Sequence, residues 1–276
     1  MNNRPIGFFD SGLGGLTCIP HLMESLPEER IIYFGDTART PYGSKAVSTI
    51  RSFSLEIADF LVSQDVKMIV IACNTVSATC LEDLQEKFPD VPIIGIIEPA
   101  AIETSKLCQE KGSIGIIGTK VTVESGVYEK LIGNLNPNPR ISSKACPAFV
   151  PLIEEGIIDH DIMNLTIKYY LDDFLSKYKV DTLVLGCTHY PLIRTNIETI
   201  YPGLRIVDPS EIVIDTIVEK LKLGNLIADQ PAYENVFYAS DLSENFINMI
   251  DKIFENAAVK VKFKSFDLED VRMEGK

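Results

Sequence analysis

Residues 68–75, MIVIACNT, decide the fold, because a short apolar run ends in a cysteine and is followed by two polar residues. Residues 182–189, TLVLGCTH, have the same form. Short continuous apolar runs are typical of strands that are covered on both faces, as in a parallel sheet. The pair therefore predicts two buried parallel strands, each ending in a turn that carries a thiol.

Similar apolar runs recur along the whole chain and alternate with helical patterns. The predicted strands are PIGFF (5–9), RIIYFG (30–35), VKMIVIA (66–72), VPIIGII (91–97), SIGIIG (113–118), DTLVLG (181–186), LRIVD (204–208) and NVFYA (235–239). Amphipathic stretches at 47–64, 81–88 and 162–178 predict helices that pack on these strands. This alternation predicts an α/β fold with mainly parallel sheets flanked by helices.

Two internal echoes predict two similar domains. IGFFDSG (6–12) resembles IGIIGTK (114–120), just as the two cysteine segments resemble each other. Pro99 and Pro209 mark candidate joints, because residues before proline are disfavoured in helices. We expect one domain of residues 1–98 together with 209–276 and a second of residues 99–208. Ligands of open α/β sheets bind beyond the carboxyl ends of the strands, which predicts an active site in the cleft between the domains.

Composition and charge exclude several functional classes. The formal net charge of −13 argues against general nucleic-acid binding, which depends on Lys and Arg at phosphates. No apolar run reaches the ~18–20 residues that a spanning helix needs, and the first residues do not resemble a secretion signal. We therefore expect a cytoplasmic protein with no nucleic-acid or membrane partner.

The six cysteines are scattered without a C-x-x-C pair, so free thiols are expected. A buried cysteine usually behaves as a small hydrophobic residue, and Cys18, Cys80, Cys108 and Cys146 are interpreted in this way. Cys73 and Cys187 differ, because each is expected to precede a helix N-terminus, where donors and the helix dipole favour a thiolate. Two opposed thiols whose pKa values are shifted only mildly suit proton transfer by two bases.

Other chemistries compete for the same cysteines. Cys73, Cys187 and His189 could hold zinc, although they lack the spacing of a zinc motif. Cys187 with His189 or His160 could form the nucleophile and base of a hydrolase, which leaves Cys73 unexplained. A redox disulfide lacks the usual C-x-x-C motif.

Three further turns carry polar groups that could meet a ligand. DSGLGG (10–15) matches no nucleotide-binding motif, and its glycines let backbone amides approach a ligand. GDTARTPYGS (35–44) has the composition of a binding loop. PLIEEG (151–156) offers a pair of glutamates, one of which could orient an ammonium group.

The segments FFDSGLGGL, YFGDTARTPYGS, IACNT, PLIEEG and LGCTHYPL, in this order, resemble the glutamate racemases of the aspartate/glutamate racemase superfamily. The resemblance implies racemisation of glutamate without a cofactor, for peptidoglycan synthesis, by a protein that is a homodimer. It implies that Cys73 takes the α-proton of D-glutamate and Cys187 that of L-glutamate. Alternatives are an aspartate or hydantoin racemase, a Cys-dependent hydrolase, or a binding module that has kept the fold.

The resemblance also implies the remaining site residues and a site that binds no metal. Asp10, Glu154 and His189 assist the cysteines, although the choice between Glu154 and Glu155 is open and Asp36 could be either structural or catalytic. Residues that hold the substrate are Asp10, Ser11, Pro41, Tyr42, Gly43, Ser44, Asn74, Thr75, Thr119, Thr122, Thr188 and His189.

Overall fold

A computed structural model describes residues 2–107, 112–230, 234–254 and 259–266. Strands in this part of the chain form two sheets in which every pairing is parallel. The strands are β1 (Ile6–Asp10), β2 (Ile31–Gly35), β3 (Met68–Ile71), β4 (Ile93–Gly95), β5 (Ser113–Gly118), β6 (Arg140–Ala145), β7 (Thr182–Gly186), β8 (Arg205–Val207), β9 (Asn235–Ala239) and β10 (Val259–Phe263).

Helices connect the strands and cover the sheets, as parallel connections require. They are α1 (Cys18–Ser25), α2 (Val47–Ser63), α3 (Asn74–Thr79), α4 (Leu81–Lys87), α5 (Ile97–Leu107), α6 (Lys120–Ser125), α7 (Val127–Leu135), α8 (Phe149–Glu154), α9 (Asp161–Tyr178), α10 (Arg194–Ile200), α11 (Pro209–Leu223) and α12 (Glu244–Ile253). The predicted α/β class is confirmed.

The two sheets repeat one strand order. The larger sheet runs β10-β9-β2-β1-β3-β4 and the smaller one β6-β5-β7-β8. The segment β2-β1-β3-β4 thus corresponds to β6-β5-β7-β8, as expected if the two halves are related. The two cysteine turns follow β3 and β7, which occupy equivalent positions in the two sheets.

All eight predicted strands are present, and the three predicted helices correspond to α2, α4 and α9. The sequence interpretation missed β6 and β10, which are edge strands with the sequences RISSKA and VKVKF. Edge strands often carry charged residues, and this hides the apolar pattern by which a buried strand is found. The residues of β6 are half-buried or exposed.

The last quarter of the chain returns to the first sheet, where β9 pairs with β2 and β10 with β9. Strands of the larger sheet therefore come from both ends of the chain, whereas residues 113–207 supply the whole of the smaller one. This pairing supports a discontinuous first domain. The boundaries at 98/99 and 208/209 stay a prediction, and residues 267–276 lie outside the described part of the chain.

No helix in the described ranges is both long enough and apolar enough to cross a bilayer.

A buried ion pair fastens the returning segment to the N-terminal part of the first domain. Lys67, just before β3, is 2 % exposed, and its Nζ lies 2.5 Å from Glu29 Oε2. The same ammonium donates to the carbonyl oxygens of Asn2 and Leu226, at 2.7 Å each. Glu29 Oε1 accepts a hydrogen bond from the Ala228 amide at 2.9 Å. One charged pair thus holds the chain start and the segment that leads to β9.

Lys67→Met should lower the free energy of unfolding by about 3–5 kcal/mol, because it leaves the Glu29 carboxylate buried without its countercharge. Urea denaturation measures this loss. Adding Glu29→Gln should recover part of it. The control is Lys87→Met, which breaks the exposed pair with Asp59 and should change stability little. Equal losses from Lys67→Met and Lys87→Met would show that the buried pair has no special role.

Candidate active site

The turns after β1, β3, β5 and β7 meet in one buried cleft between the two sheets. The Cys73 thiol, after β3, lies 3.5 Å from Ser11 Oγ, after β1. The Thr188 hydroxyl, after β7, donates to Asp10 Oδ1 at 3.1 Å. These contacts join both cysteine turns to the DSGLGG turn, so the residues that the sequence singled out lie on both walls of the same cleft.

Cys73 is the N-terminal flanking residue of α3 and is only 3 % exposed. Burial, and after it the charge of Asp10, raises the pKa of the Cys73 thiol to about 12. Contacts with Ser11 and the Val76 backbone oppose this shift without cancelling it. The expectation of a mildly shifted, thiolate-favouring pKa is therefore wrong for Cys73, because desolvation outweighs the helix N-terminus.

Cys187 is 5 % exposed, and its Sγ lies 3.8 Å from His189 Nδ1. The expected helix N-terminus directly after Cys187 is not formed, since a 3₁₀ turn begins only at Tyr190 and α10 at Arg194. Pro191 accounts for this difference, because a residue before proline is disfavoured in an α-helix. The nearby polar group at Cys187 is thus an imidazole rather than a helix end.

Glu154, the last residue of α8, fixes that imidazole: its Oε1 lies 2.6 Å from His189 Nε2. Burial alone lowers the pKa of His189, but the contacts with Cys187 and Glu154 outweigh it and raise this pKa well above its ordinary value. Glu155 is exposed, so Glu154 is the carboxylate that faces the cleft. The result is a line of three groups, from carboxylate to imidazole to thiol.

Asp10 is fully buried, and its second oxygen, Oδ2, accepts hydrogen bonds from the amides of Gly12 and Gly15, each at 3.1 Å. Burial raises the pKa of Asp10, and the charge of His189 is the largest opposing effect. The turn has no room for a side chain at Gly14, where a Cβ would lie 2.5 Å from His189 Nδ1. The glycines therefore let the backbone come close to the histidine.

A cluster of threonine hydroxyls closes the cleft on the side of Cys73. Thr75 Oγ1 lies 3.0 Å from Thr119 Oγ1 and 3.3 Å from Thr122 Oγ1, and the latter two are 2.9 Å apart. Thr75 belongs to the first sheet's turns and the other two to the second's. A Cβ at Gly43 would lie 2.2 Å from Thr119 Cβ, so the 35–44 loop packs directly against this cluster.

The 35–44 loop is held from beneath by Asp36, which is fully buried. The Tyr42 hydroxyl donates to Asp36 Oδ2, and Arg39 Nε pairs with the same oxygen at 2.7 Å. Ser240, after β9, donates to Asp36 Oδ1 at 2.7 Å. These contacts assign Asp36 a structural part in shaping the loop.

The structure does not bury every predicted residue of this loop. Pro41 is half-buried, and Ser44 is exposed.

Residues given a structural interpretation mostly lie where expected. Cys18, Cys80 and Cys146 are buried away from solvent, and Cys108 lies outside the described residues. His160, the second candidate base of the hydrolase alternative, is exposed and caps α9 by accepting from the Ile162 amide. No group of three or more His, Cys, Asp and Glu within the described ranges is arranged to hold a metal ion, so the geometry gives no support to the zinc alternative.

Two polar contacts of the cleft escaped the sequence interpretation. Asn245 on α12 donates to the Glu154 backbone oxygen at 2.6 Å, and the Tyr33 hydroxyl donates to the Gly12 oxygen at 2.9 Å. Asn245 lies 91 positions from its partner, and no local pattern marks such a pair. Tyr33 sits inside the apolar run of β2, where it is indistinguishable from a core residue.

This geometry can be compared with known proteins. A family model described as Asp/Glu/Hydantoin racemase matches residues 17–217. The chain belongs to that family. A glutamate racemase of Geobacter metallireducens is 45 % identical over 248 residues, which cover 89 % of this chain and 91 % of the relative. One from a Sulfurihydrogenibium species is 43 % identical, over 97 % and 98 % of the two chains.

Solved structures agree with the sequence relatives. A glutamate racemase from Francisella tularensis, crystallised in complex with D-glutamate, is 37 % identical and superimposes with a TM-score of 0.89. The match covers 97 % of this chain and 99 % of that one. The resemblance to glutamate racemases seen in the sequence motifs is therefore confirmed.

Glu154→Gln should lower the pKa of His189, because it removes the carboxylate that stabilises the imidazolium. NMR titration of the imidazoles measures this, and the chain has only three histidines. His21 and His160 serve as the internal controls. A raised pKa stabilises the fold below the ordinary histidine pKa of ~6.5, and this contribution is lost as pH rises through the raised value. An unchanged His189 titration would contradict this electrostatic account.

Proposed function

We propose that the protein interconverts L-glutamate and D-glutamate without a cofactor, by transferring the α-proton between two cysteines. The observation that carries this proposal is the placement of Cys73 and Cys187 on equivalent turns of two similar sheets that face one cleft. A reaction whose substrate and product are mirror images calls for a base on one face of the α-carbon and an acid on the other. The relatives named glutamate racemase support the choice of substrate.

In the direction from L to D, Cys187 is the base and Cys73 the acid. The imidazole of His189, held by Glu154, lies beside the Cys187 sulfur and, when protonated, offsets the negative charge of a thiolate there. Burial keeps the pKa of Cys73 at about 12, so this group begins as a thiol. The Cys187 thiolate takes the α-proton, and the Cys73 thiol gives its proton to the opposite face. The reverse reaction exchanges the two roles, with the substrate ammonium beside Asp10 favouring a Cys73 thiolate.

Removal of the α-proton leaves a carbanion whose negative charge spreads into the adjacent carboxylate. Hydrogen-bond donors at that carboxylate stabilise the charge. Asn74 and Thr75 at the start of α3, with Thr188 from the second sheet, supply amide and hydroxyl groups in a water-poor site, where such donors are most effective. The remaining groups bind the substrate's carboxylates and ammonium. They are Asp10, Ser11, Pro41, Tyr42, Gly43, Ser44, Thr119, Thr122 and His189.

Two other activities use the same residues. An aspartate or hydantoin racemase would share the two-cysteine chemistry and is separated by offering those substrates. A hydrolase would use Cys187 with His189 and form a covalent acyl adduct, which intact-protein mass spectrometry detects. It assigns no role to Cys73, so the geometry favours racemisation.

The physiological setting rests on the resemblance to glutamate racemases. We propose a cytoplasmic homodimer that supplies D-glutamate for peptidoglycan. Light scattering measures the oligomeric state. Depletion in the host, with and without added D-glutamate, tests the supply of this amino acid: loss of growth that D-glutamate does not restore would refute it.

Purified protein given L-glutamate in deuterated water, with no added cofactor, should form D-glutamate that carries deuterium at the α-carbon. Circular dichroism follows the loss of optical activity, and mass spectrometry follows the label. L-Aspartate and a hydantoin are the matched substrate controls. If neither glutamate enantiomer exchanged its α-proton for deuterium, the proposed function would be refuted.

Cys73→Ala and Cys187→Ala should each reduce racemisation by about 10³-fold or more, because each removes one of the two proton-transfer groups. Cys80→Ala and Cys146→Ala are the controls and should keep most activity, since those thiols contact Thr79 Oγ1 and the Lys144 backbone oxygen rather than a proposed substrate-binding group. Steady-state rates in both directions measure the effect. Full activity in either Cys73→Ala or Cys187→Ala would eliminate the two-base mechanism.

A further inference from the structure

Tyr128, on α7, is buried and reaches across the cleft to the turn of the first cysteine. Its hydroxyl donates to Asn74 Oδ1 at 2.7 Å. Asn74 is the first residue of α3, directly after Cys73. This hydrogen bond therefore connects a helix that follows β5 to the helix start beside the first thiol.

The other end of the Asn74 side chain has no such partner. Its Nδ2 is buried and makes no hydrogen bond within the described residues. Buried polar groups are nearly always hydrogen-bonded, and a missing partner destabilises the fold, so an exception needs an explanation. A donor left open beside Cys73 is explained if a bound molecule supplies the acceptor.

The ring of Tyr128 also touches the second cysteine turn. A Cβ placed on Gly186, the last residue of β7, would lie 3.3 Å from Tyr128 Cε2. Gly186 immediately precedes Cys187. The same side chain thus packs beside one cysteine turn and donates a hydrogen bond to the other.

We propose that Tyr128 is a positioning residue: it holds Asn74 Oδ1, so that the Asn74 amide presents its NH₂ group to a carboxylate oxygen of the substrate. The proposal rests on the proposed racemisation and adds to it the group that orients a substrate donor. A rotated amide would instead present a carbonyl oxygen to the carboxylate, and two acceptors repel each other.

The environment of Tyr128 suits a permanent donor. Burial, with smaller effects from Asp208 and Cys187, raises the pKa of its phenol. The hydroxyl therefore keeps its proton at any pH at which the enzyme works. The hydrogen bond to Asn74 does not switch with pH.

The first test is Tyr128→Phe, which keeps the ring beside Gly186 and removes only the donor. We expect kcat/KM to fall about 10-fold or more in both directions, because Asn74 loses its fixed orientation. Tyr190→Phe is the matched control. Tyr190 is equally buried, and its hydroxyl donates to the Cys146 backbone oxygen at 3.1 Å, so its loss should change kcat/KM by less than about 3-fold.

A double-mutant cycle with Asn74→Ala separates positioning from general stability. Once the amide is gone, Tyr128→Phe should cause little further loss of kcat/KM. If Tyr128 merely stabilised the fold, its removal would reduce kcat/KM by the same factor in both backgrounds and lower the Tm in parallel. Such additivity, or wild-type kinetics in Tyr128→Phe, would overturn the proposal.

These outcomes are distinct from failure of the proposed function. Deuterium exchange by the unmodified protein is measured first. If that protein exchanges the α-proton of glutamate while Tyr128→Phe matches it in kcat/KM, racemisation stands and only the positioning role is lost. If the unmodified protein has no exchange, the proposed function fails before Tyr128 is considered.

Discussion

Burial of charge in the cleft is the constraint on which the site depends. A helix N-terminus favours a thiolate by about 0.3–1 kcal/mol, whereas a rise in the pKa of Cys73 from 9.0 to about 12 corresponds to about 4 kcal/mol at ~1.4 kcal/mol per unit. At Cys73 the desolvation cost of the thiolate therefore exceeds the stabilisation that the helix N-terminus provides. A closed cleft strengthens every polar contact inside it, and at the same time keeps an uncompensated thiol protonated.

The two halves share a strand order but surround their buried thiols with different polar groups. After β3, the chain continues directly into α3, and the thiol has a hydroxyl and a nearby carboxylate as neighbours. After β7, Pro191 delays the helix, and the space is taken by His189 with Glu154 behind it. The fold is thus nearly symmetric while the charges are not. One thiol faces an imidazole whose pKa is raised, and the other faces a buried aspartate.

Much of this arrangement can be predicted from the sequence because the buried strands have a strong local signature. MIVIACNT and TLVLGCTH place both cysteines at strand ends, and parallel strands bring those ends to one edge. The sequence pattern does not predict features that depend on residues far apart in the chain or on a strand's place in the sheet. RISSKA in β6 lacks an apolar pattern because it is an edge strand, although the strand order of the first half already calls for a strand at that place. The pKa of Cys73 depends on burial by both halves at once, and no short motif encodes this.

The last quarter of the chain explains why distant residues matter to the site. β9 joins the first sheet beside β2, and this brings Ser240 to Asp36 beneath the 35–44 loop. It also places α12 where Asn245 holds the Glu154 backbone. Of these two contacts, one supports the loop that packs on the threonine cluster, and the other supports the carboxylate behind His189. The returning segment therefore fixes both walls of the cleft without contributing a reacting group, and the geometry of the two thiols depends on a part of the chain that carries no cysteine.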